Sequence, residues 1–278
     1  MQATDEKGTV WKASTRWIIE RPGCTVALNQ QQLKAVIYLG EANAALPILA
    51  YALRDALTLL LPRTGWMPLH AAGVVLPGAA QQTVLLVGPS GVGKSTLTTG
   101  LLMRGAQCIS DDLLLLGPPT AETLQAHGMM KNIRVCDDVW TRLALNRHQT
   151  GAPDVFGQYA HQPKHTLTAD ALPTRPATTP LRTDTGTPTT IVLPTIVDIP
   201  QSQLTPVSRA DALPVLMTQM VPPTLLPTSA HQAQLQQTAK LLRQCTVYRL
   251  HAGRDLYHNP SRLASLLQDV DSAPALHA

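Results

Sequence analysis

The sequence predicts an α/β fold in which a glycine-rich loop connects a buried strand to a helix, together with a small N-terminal α+β region. Three observations support this fold class. Strand-like apolar runs alternate with helix-like segments along most of the 278 residues. A glycine-rich run of the form G-x-x-x-x-G-K-S lies between a strand candidate and a helix candidate. A strand–turn–strand run precedes this loop, where a βαβ unit would place a helix.

Residues 1–65 are expected to form the α+β region. Strand-like runs fill residues 9–39, and turn-forming residues such as Pro22-Gly23 separate them. An apolar helix, Ala44–Leu61, follows and is stopped by Pro62. No residue pattern in this region carries a chemical signature, so its expected role is to steady the core or to recognise a partner.

Residues 66–278 are expected to form the main domain around the glycine-rich loop. Its first half is predicted to contain a strand from His70, a buried strand Thr83–Val87, a helix Lys94–Arg104 that Gly105 ends, and a strand near Gln107–Ile109. Its second half is predicted to contain a strand Ile191–Val197, helices over 209–220 and 231–244, a strand Val247–Leu250 and a closing helix over 260–270.

A proline- and threonine-rich segment, residues 163–190, separates the two halves of the main domain. It holds ten threonines and five prolines but few large apolar side chains. Such a segment buries too little surface to offset the conformational entropy that ordering removes. We therefore expect a flexible loop here.

The run Gly88-Pro-Ser-Gly-Val-Gly-Lys-Ser95 has the form of a phosphate-binding loop. Its glycines allow the backbone amides to point inward, and the helix that begins at Lys94 directs its positive end to the same place. In such a loop Lys94 contacts the β- and γ-phosphates of a nucleoside triphosphate, and the Ser95 hydroxyl ligates Mg²⁺. A glycine-rich turn without a ligand is the alternative interpretation. The expected nucleotide-binding residues are Gly88, Pro89, Ser90, Gly91, Val92, Gly93, Lys94, Ser95 and Thr96.

An aspartate pair, Asp111-Asp112, ends the strand that follows the phosphate-loop helix. A phosphoryl-transfer site needs an anionic group near the metal and a carboxylate that orients or deprotonates the attacking oxygen. Successive residues of an extended chain point to opposite sides, so the two carboxylates are expected to divide these roles. The alternative is an exposed turn whose acids only help the chain leave the sheet.

Three further residues are candidates for the site. His70 begins an apolar strand one hairpin before the loop, where a histidine serves either in catalysis or as a hydrogen-bonded core residue. Lys131 and Arg134 are candidate phosphate contacts, because an inward-facing cation stabilises the migrating phosphoryl group. A solvated surface pair is the alternative interpretation of these two cations.

Composition and charge argue against several classes of function. The formal net charge of +4 comes from scattered lysines and arginines, without the clusters that a nucleic-acid-binding surface needs. The most apolar stretch, residues 44–61, contains Arg54 and Asp55 and is too short and too charged to span a bilayer. The four cysteines lack metal-type spacing, and the N-terminus lacks the character of a signal peptide. We expect a cytoplasmic protein with reduced thiols and without nucleic-acid or membrane partners.

Taken together, these pieces resemble the HPr kinase/phosphorylase family of P-loop kinases. That family has a histidine-opened strand, a G-x-S-G-x-G-K-S loop, an Arg-Gly helix end and an Asp-Asp pair. The corresponding residues here are His70-Ala-Ala-Gly-Val-Val, the loop Gly88–Ser95 with its Ser90, Arg104-Gly105 and Ser110-Asp111-Asp112. The step of seventeen positions from Lys94 to Asp111 also resembles the spacing in the family.

The resemblance implies a fold and a set of roles. The fold is that of phosphoenolpyruvate carboxykinase, with the phosphate loop on a mixed, largely antiparallel sheet. Asp111 takes the role of the catalytic base that deprotonates the acceptor hydroxyl, and His70 lies beside the phosphates. Together with Lys94 these are the expected catalytic residues. Ser95 and Asp112 are the expected metal ligands.

Two later segments, residues 205–213 and 247–255, resemble stand-alone homologues of this kinase, some of which phosphorylate a serine of ribosomally made peptides, including lasso peptides. The leading hypothesis is an ATP- and Mg²⁺-dependent kinase that acts on a serine of a peptide or small protein. A small-molecule kinase and a nucleotide-gated regulatory or binding module stay open as alternatives. The expected partners are a nucleoside triphosphate, the peptide or small-protein acceptor and, as a further candidate, a second copy of the chain.

Overall fold

The computed structural model describes residues 2–5, 8–21, 23–40, 45–78, 82–118, 122–129, 133–145, 164–176 and 179–272. The strands in these ranges are β1 Gln2–Asp5, β2 Gly8–Ala13, β3 Arg16–Arg21, β4 Cys24–Asn29, β5 Lys34–Leu39, β6 Met67–Leu69, β7 Ala71–Val75, β8 Thr83–Val87, β9 Gln107–Ser110, β10 Leu114–Gly117, β11 Gln125–Gly128, β12 Arg134–Cys136, β13 Lys164–Thr166, β14 Thr185–Gly186, β15 Pro188–Ile196, β16 Gln203–Pro206 and β17 Thr246–Ala252. The helices are α1 Ala45–Leu60, α2 Lys94–Met103, α3 Asp137–Arg142, α4 Arg209–Thr218, α5 Thr228–Gln244, α6 Arg254–His258 and α7 Arg262–Ser272.

The N-terminal region is an antiparallel five-stranded sheet, β1 to β5 in chain order, with α1 packed on one face. Alternation of buried and exposed residues selects that face: Trp17 and Ile19 of β3 are buried, whereas Ile18 between them is exposed. The α1 side chains Ala52 and Ala56 lie in the same cluster. The α+β character predicted from the sequence is therefore confirmed.

The N-terminal sheet packs against a distant part of the main domain. Its apolar cluster includes Val221, Leu226 and Ala230, which lie just before and within α5. The buried Gln30 amide donates to the carbonyl oxygens of Leu59 at 3.2 Å and Leu225 at 3.3 Å, which ties the sheet, α1 and this segment together. The domain boundary at residue 65 stays a prediction, but apolar contacts cross it.

A six-stranded mixed sheet carries the phosphate loop, in the order β16–β17–β15–β8–β7–β9. The central strands β17, β15 and β8 are parallel to one another, and the outer pairs are antiparallel. Helices α2 and α7 cover one face of the sheet, and α4 and α5 with a second sheet of order β14–β11–β10–β6 cover the other. Burial on both faces explains why β8 is apolar at every position after Thr83.

The sequence prediction of a mixed α/β fold is confirmed, and most of its elements lie where they were expected. The predicted strand Thr83–Val87 is β8, and the predicted helix Lys94–Arg104 is α2 with its end at Met103. The finer assignment to the phosphoenolpyruvate carboxykinase fold stays a prediction. Among the described residues, no helix has the length and apolar character needed to cross a membrane.

The segment 163–190 differs from its prediction in one respect. Its few apolar side chains are clustered: Leu167, Ala171 and Leu172 are buried beside Trp140. Strand β13 pairs with β12. The Arg175 guanidinium donates to the carbonyl oxygens of Leu102, in the last turn of α2, at 2.8 Å and of Ala106, just after the helix, at 2.7 Å. Residues 164–176 thus bury apolar surface despite their composition. Its mobility stays a prediction.

Candidate active site

The phosphate loop joins the end of β8 to the start of α2. Gly91 and Gly93 both adopt φ = +89°, a left-handed conformation that non-glycine residues rarely adopt. Gly93 is the N-cap of α2 and has no side chain that could accept from the first amides of the helix. The positive end of α2 is thereby directed at the space inside the loop, as an anion site requires.

Lys94 is folded back onto the loop and is 7% exposed. Its ammonium group donates to the carbonyl oxygens of Gly88 at 2.6 Å and Pro89 at 2.9 Å. Its Nζ also lies 3.2 Å from Nε2 of His70. The predicted phosphate-binding lysine is thus held at the mouth of the loop by contacts that a phosphate oxygen can replace.

His70 connects this lysine to the aspartate pair. It lies between β6 and β7, and its backbone N–H donates to the carbonyl oxygen of Gln219 at 2.8 Å. Nδ1 lies 3.1 Å from Oδ1 of Asp112. Since a carboxylate only accepts and an ammonium only donates, this pattern assigns the proton to Nδ1 and leaves Nε2 as the acceptor from Lys94. The histidine is therefore neutral in this arrangement.

Asp112 lies among three cationic or polar partners. Besides His70, its Oδ2 accepts from Arg54 of α1 at 2.8 Å and lies 3.5 Å from the Arg134 guanidinium. Burial raises the pKa of the Asp112 carboxyl, but the His70 hydrogen bond and the charges of Arg54 and Arg134 together lower it well below its ordinary value. Asp112 is therefore ionised at neutral pH.

Asp111 has different surroundings from its neighbour, as the extended chain predicts. It is 5% exposed, and its Oδ2 accepts from the backbone N–H of Arg134 at 2.8 Å. This bond fixes the start of β12, the strand that carries the Arg134 side chain toward Asp112. The structure thus places Asp112 in direct contact with His70, and Asp111 against the backbone that positions Arg134.

The side chains of Ser95 and Asp112 have oxygen donors that suit a Mg²⁺ ion that takes most of its ligands from a nucleotide and from water. Ser95 is the second residue of α2, and Asp112 is an ionised carboxylate whose oxygens each have more than one lone pair. At nucleotide sites Mg²⁺ commonly uses only one or two protein oxygens beside the phosphates. Among the residues that the structure describes, no three His, Cys, Asp or Glu side chains form a cluster able to hold a metal.

Folding stability should depend on Asp112 in acid. A carboxyl whose pKa is lower in the folded state stabilises the protein above its unfolded pKa of ~3.9, and this contribution is lost as the pH falls toward the folded pKa. Between about pH 5 and pH 2, we expect wild type to lose about 1–3 kcal/mol more free energy of unfolding than Asp112→Asn does. Urea unfolding at each pH measures the difference. Asp198→Asn, which removes an exposed partner of Arg254, is the control. If wild type and Asp112→Asn lost the same free energy of unfolding between these pH values, the prediction would be contradicted.

The structure brings together several residues that the sequence singled out. His70, Lys94 and Asp112 form one chain of contacts at the mouth of the loop, and Arg134 reaches Asp112. Lys131 lies outside the described residues. Sequence reasoning missed Arg54, which it read only as an interruption of an apolar helix. An Arg in the middle of such a helix is itself a signal, because buried charges need partners.

No protein-family model matches the chain, and no curated protein matches it. Among solved structures, the chain is similar to the Hpr(Ser) kinase/phosphatase from Coxiella burnetii at 14% sequence identity. That likeness covers 73% of this chain and 95% of the other, with a TM-score of 0.34. A TM-score this low does not establish a shared fold, and the family stays a resemblance.

Proposed function

We propose that the chain is an ATP- and Mg²⁺-dependent kinase that transfers the γ-phosphate to a hydroxyl group, namely a serine of a peptide or small protein. The observation that carries the proposal is the chain of contacts Lys94–His70–Asp112 at the mouth of the phosphate loop. A loop that only bound a nucleotide would not need an oriented imidazole and a partly buried carboxylate beside its lysine. The choice of a serine acceptor follows the kinases that the sequence resembles.

Lys94 has the first role in the proposed reaction. It exchanges the carbonyl oxygens of Gly88 and Pro89 for the β- and γ-phosphate oxygens, together with the loop amides and the positive end of α2. The charge that builds up on the transferred group is neutralised by these fixed groups and by Mg²⁺, which Ser95 and Asp112 would hold. Once Lys94 has made this exchange, the donors are in place before the transfer itself, and little further reorganisation accompanies the reaction.

His70 and Asp112 have the second role. Once Lys94 has turned to the phosphates, Nε2 of His70 is available to accept the proton of the acceptor hydroxyl. The acceptor oxygen then forms a bond to the γ-phosphorus, the bond from that phosphorus to the bridging oxygen breaks, and ADP keeps the electron pair. Asp112 stabilises the imidazolium that forms and fixes its tautomer through Nδ1, as the carboxylate does in other His–Asp pairs.

This arrangement favours a division of roles that differs from the one the resemblance implies. The resemblance assigns proton abstraction to Asp111 and a metal-side place to Asp112, and that assignment stays a prediction. The contacts favour proton abstraction by His70, with Asp112 orienting the imidazole through Nδ1. They favour a positioning role for Asp111 through the backbone of Arg134. The two divisions predict different behaviour of the Asn variants of Asp111 and His70.

The test of the proposed function is phosphorylation of serine peptides. We expect the protein, incubated with ATP, Mg²⁺ and pools of short serine peptides, to form a peptide that is heavier by one phosphoryl group. One ADP should be released for each phosphopeptide formed. Mass spectrometry identifies the product, and a coupled assay counts the ADP. ADP formation without any phosphopeptide, or nucleotide binding without turnover, would reject the peptide-kinase proposal in favour of an ATPase or a nucleotide-gated module.

A further inference from the structure

A cavity of about 220 Å³ lies where the N-terminal region meets the residues of the candidate site. Strands β2 and β3 and helix α1 form one side of it. The segment around His70, Leu113 and residues 219–222 form the other side. The cavity therefore exists only because the N-terminal sheet packs on the main domain.

One wall of this cavity is part of the proposed reaction centre. His70 lines the cavity, and its Nε2 lies 3.2 Å from Nζ of Lys94. Leu113, which also lines it, directly follows Asp112 in the chain. A group held in the cavity would thus lie against the imidazole that faces the phosphate-binding lysine. An acceptor held there would lie beside the imidazole that the proposed reaction uses as its base.

The charges in the cavity wall are paired with each other. Arg21 contacts Asp55 at 3.0 Å, and Arg54 contacts Asp112 at 2.8 Å. Most of the remaining wall consists of apolar side chains: Val10, Ile19, Leu59, Met220, Val221 and Leu225. Since these charges are already neutralised by ion pairing, an incoming charged group would gain little here, whereas an apolar group would be removed from water.

The size of the cavity limits what it can hold. Sites that enclose a whole small ligand measure about 300–1,000 Å³, and this cavity is smaller. It suits a single apolar side chain, with the rest of the molecule outside. A peptide binds in this way, because one side chain enters a pocket while the backbone continues along the surface.

We propose that this cavity binds an apolar side chain that neighbours the acceptor serine in a peptide substrate, so that the N-terminal region selects the acceptor. This inference rests on the proposed kinase function and adds the substrate class to it. Specificity would follow from the lining of β2, β3 and α1, which the sequence left without a chemical role.

Filling the cavity from α1 tests the proposal. Thr58 lines the cavity, whereas Leu57 on the same helix is 38% exposed, so Thr58→Trp and Leu57→Trp form a matched pair. Thr58→Met is a milder second variant, and thermal unfolding together with binding of a non-hydrolysable ATP analogue checks that each variant is folded. The probes are two pools of alanine-based peptides with a central serine, one with Leu or Phe and the other with Asp at the flanking positions.

We expect wild type and Leu57→Trp to phosphorylate the Leu/Phe pool at least about tenfold faster than the Asp pool, the range that hydrophobic pockets achieve. In Thr58→Trp this preference should disappear without a change in the KM for ATP. Equal rates for both pools, or a preference that survives in both cavity variants, would overturn the proposal. A Thr58→Trp variant that loses affinity for ATP instead would assign the cavity to the nucleotide.

A binding measurement separates this inference from the proposed function. Met220 lines the cavity, so its ¹³C-labelled methyl group reports directly on an occupant. If no pool is phosphorylated, the kinase proposal fails. A Met220 methyl shift with the Leu/Phe pool that is absent in Thr58→Trp would still support the cavity as a peptide side-chain site. No shift with either pool in the presence of the ATP analogue would overturn it.

Discussion

Replacing Lys94 with alanine is expected to lower the rate of phosphoryl transfer by at least 10²–10³-fold, on the order that removal of one fixed charge-stabilising donor costs. In the structure the ammonium group is held at the mouth of the loop by the Gly88 and Pro89 carbonyl oxygens and lies beside His70. Its removal takes away the cation that would meet the γ-phosphate and leaves the loop backbone in place. A single-turnover assay with ATP, Mg²⁺ and an acceptor peptide measures the effect.

Two comparisons make this result specific. Lys34→Ala removes a lysine from the exposed start of β5 and should leave the rate unchanged. Circular dichroism and thermal unfolding should show that Lys94→Ala remains folded. A rate within about tenfold of wild type, equivalent to about 1.4 kcal/mol of activation free energy, would show that Lys94 does not have the assigned role.

The second large effect is expected at His70. His70→Asn keeps an N–H near the Nδ1 position that can donate to Asp112 but removes the acceptor nitrogen beside Lys94. If His70 accepts the proton of the hydroxyl, kcat should fall by about 10²–10⁴-fold while binding of a non-hydrolysable ATP analogue stays the same. Calorimetry measures the binding, and steady-state kinetics measure kcat.

The aspartate variants decide between the two divisions of roles. Asp111→Asn keeps a side-chain oxygen that can accept from the backbone N–H of Arg134, so the contacts predict a small effect on kcat. The resemblance predicts the opposite, a loss of about 10²–10⁴-fold in Asp111→Asn. Asp112→Asn should weaken binding of the Mg²⁺–nucleotide under both divisions. A large loss of kcat in Asp111→Asn, together with a near-normal kcat in His70→Asn, would reject proton abstraction by His70.

Most of the main sheet and the loop could be predicted from local sequence. Strand β8 is a continuous apolar run, and α2 starts at the lysine that ends the glycine pattern, so each element carries its own signal. Asp111 and Asp112 were recognisable for the same reason, since they directly follow β9. What local sequence could not provide is which of the two carboxylates contacts His70, because the answer depends on packing between distant parts of the chain.

The contribution of α1 shows why part of the site escaped prediction. Arg54 and Asp112 are 58 positions apart, and their ion pair exists only because the N-terminal sheet packs against the segment that precedes α5.

Residues 163–190, where average composition suggested a flexible loop, also depend on long-range packing. The position of Leu167 and Leu172, rather than their number, allows them to pack with Trp140. Long-range packing of this kind leaves no local pattern.

The position of β8 in the sheet has a consequence for the growing chain. Its antiparallel partner β7 is synthesised just before it, but its parallel partner β15 begins only at Pro188. Until that point one edge of β8 has no neighbour, although all five of its residues are buried in the finished protein. Open apolar edges attract other chains. Nascent chains that end before β15 therefore expose an unpaired, aggregation-prone sheet edge beside the phosphate loop. Such chains should depend on chaperones until the remaining strands of the sheet have been synthesised.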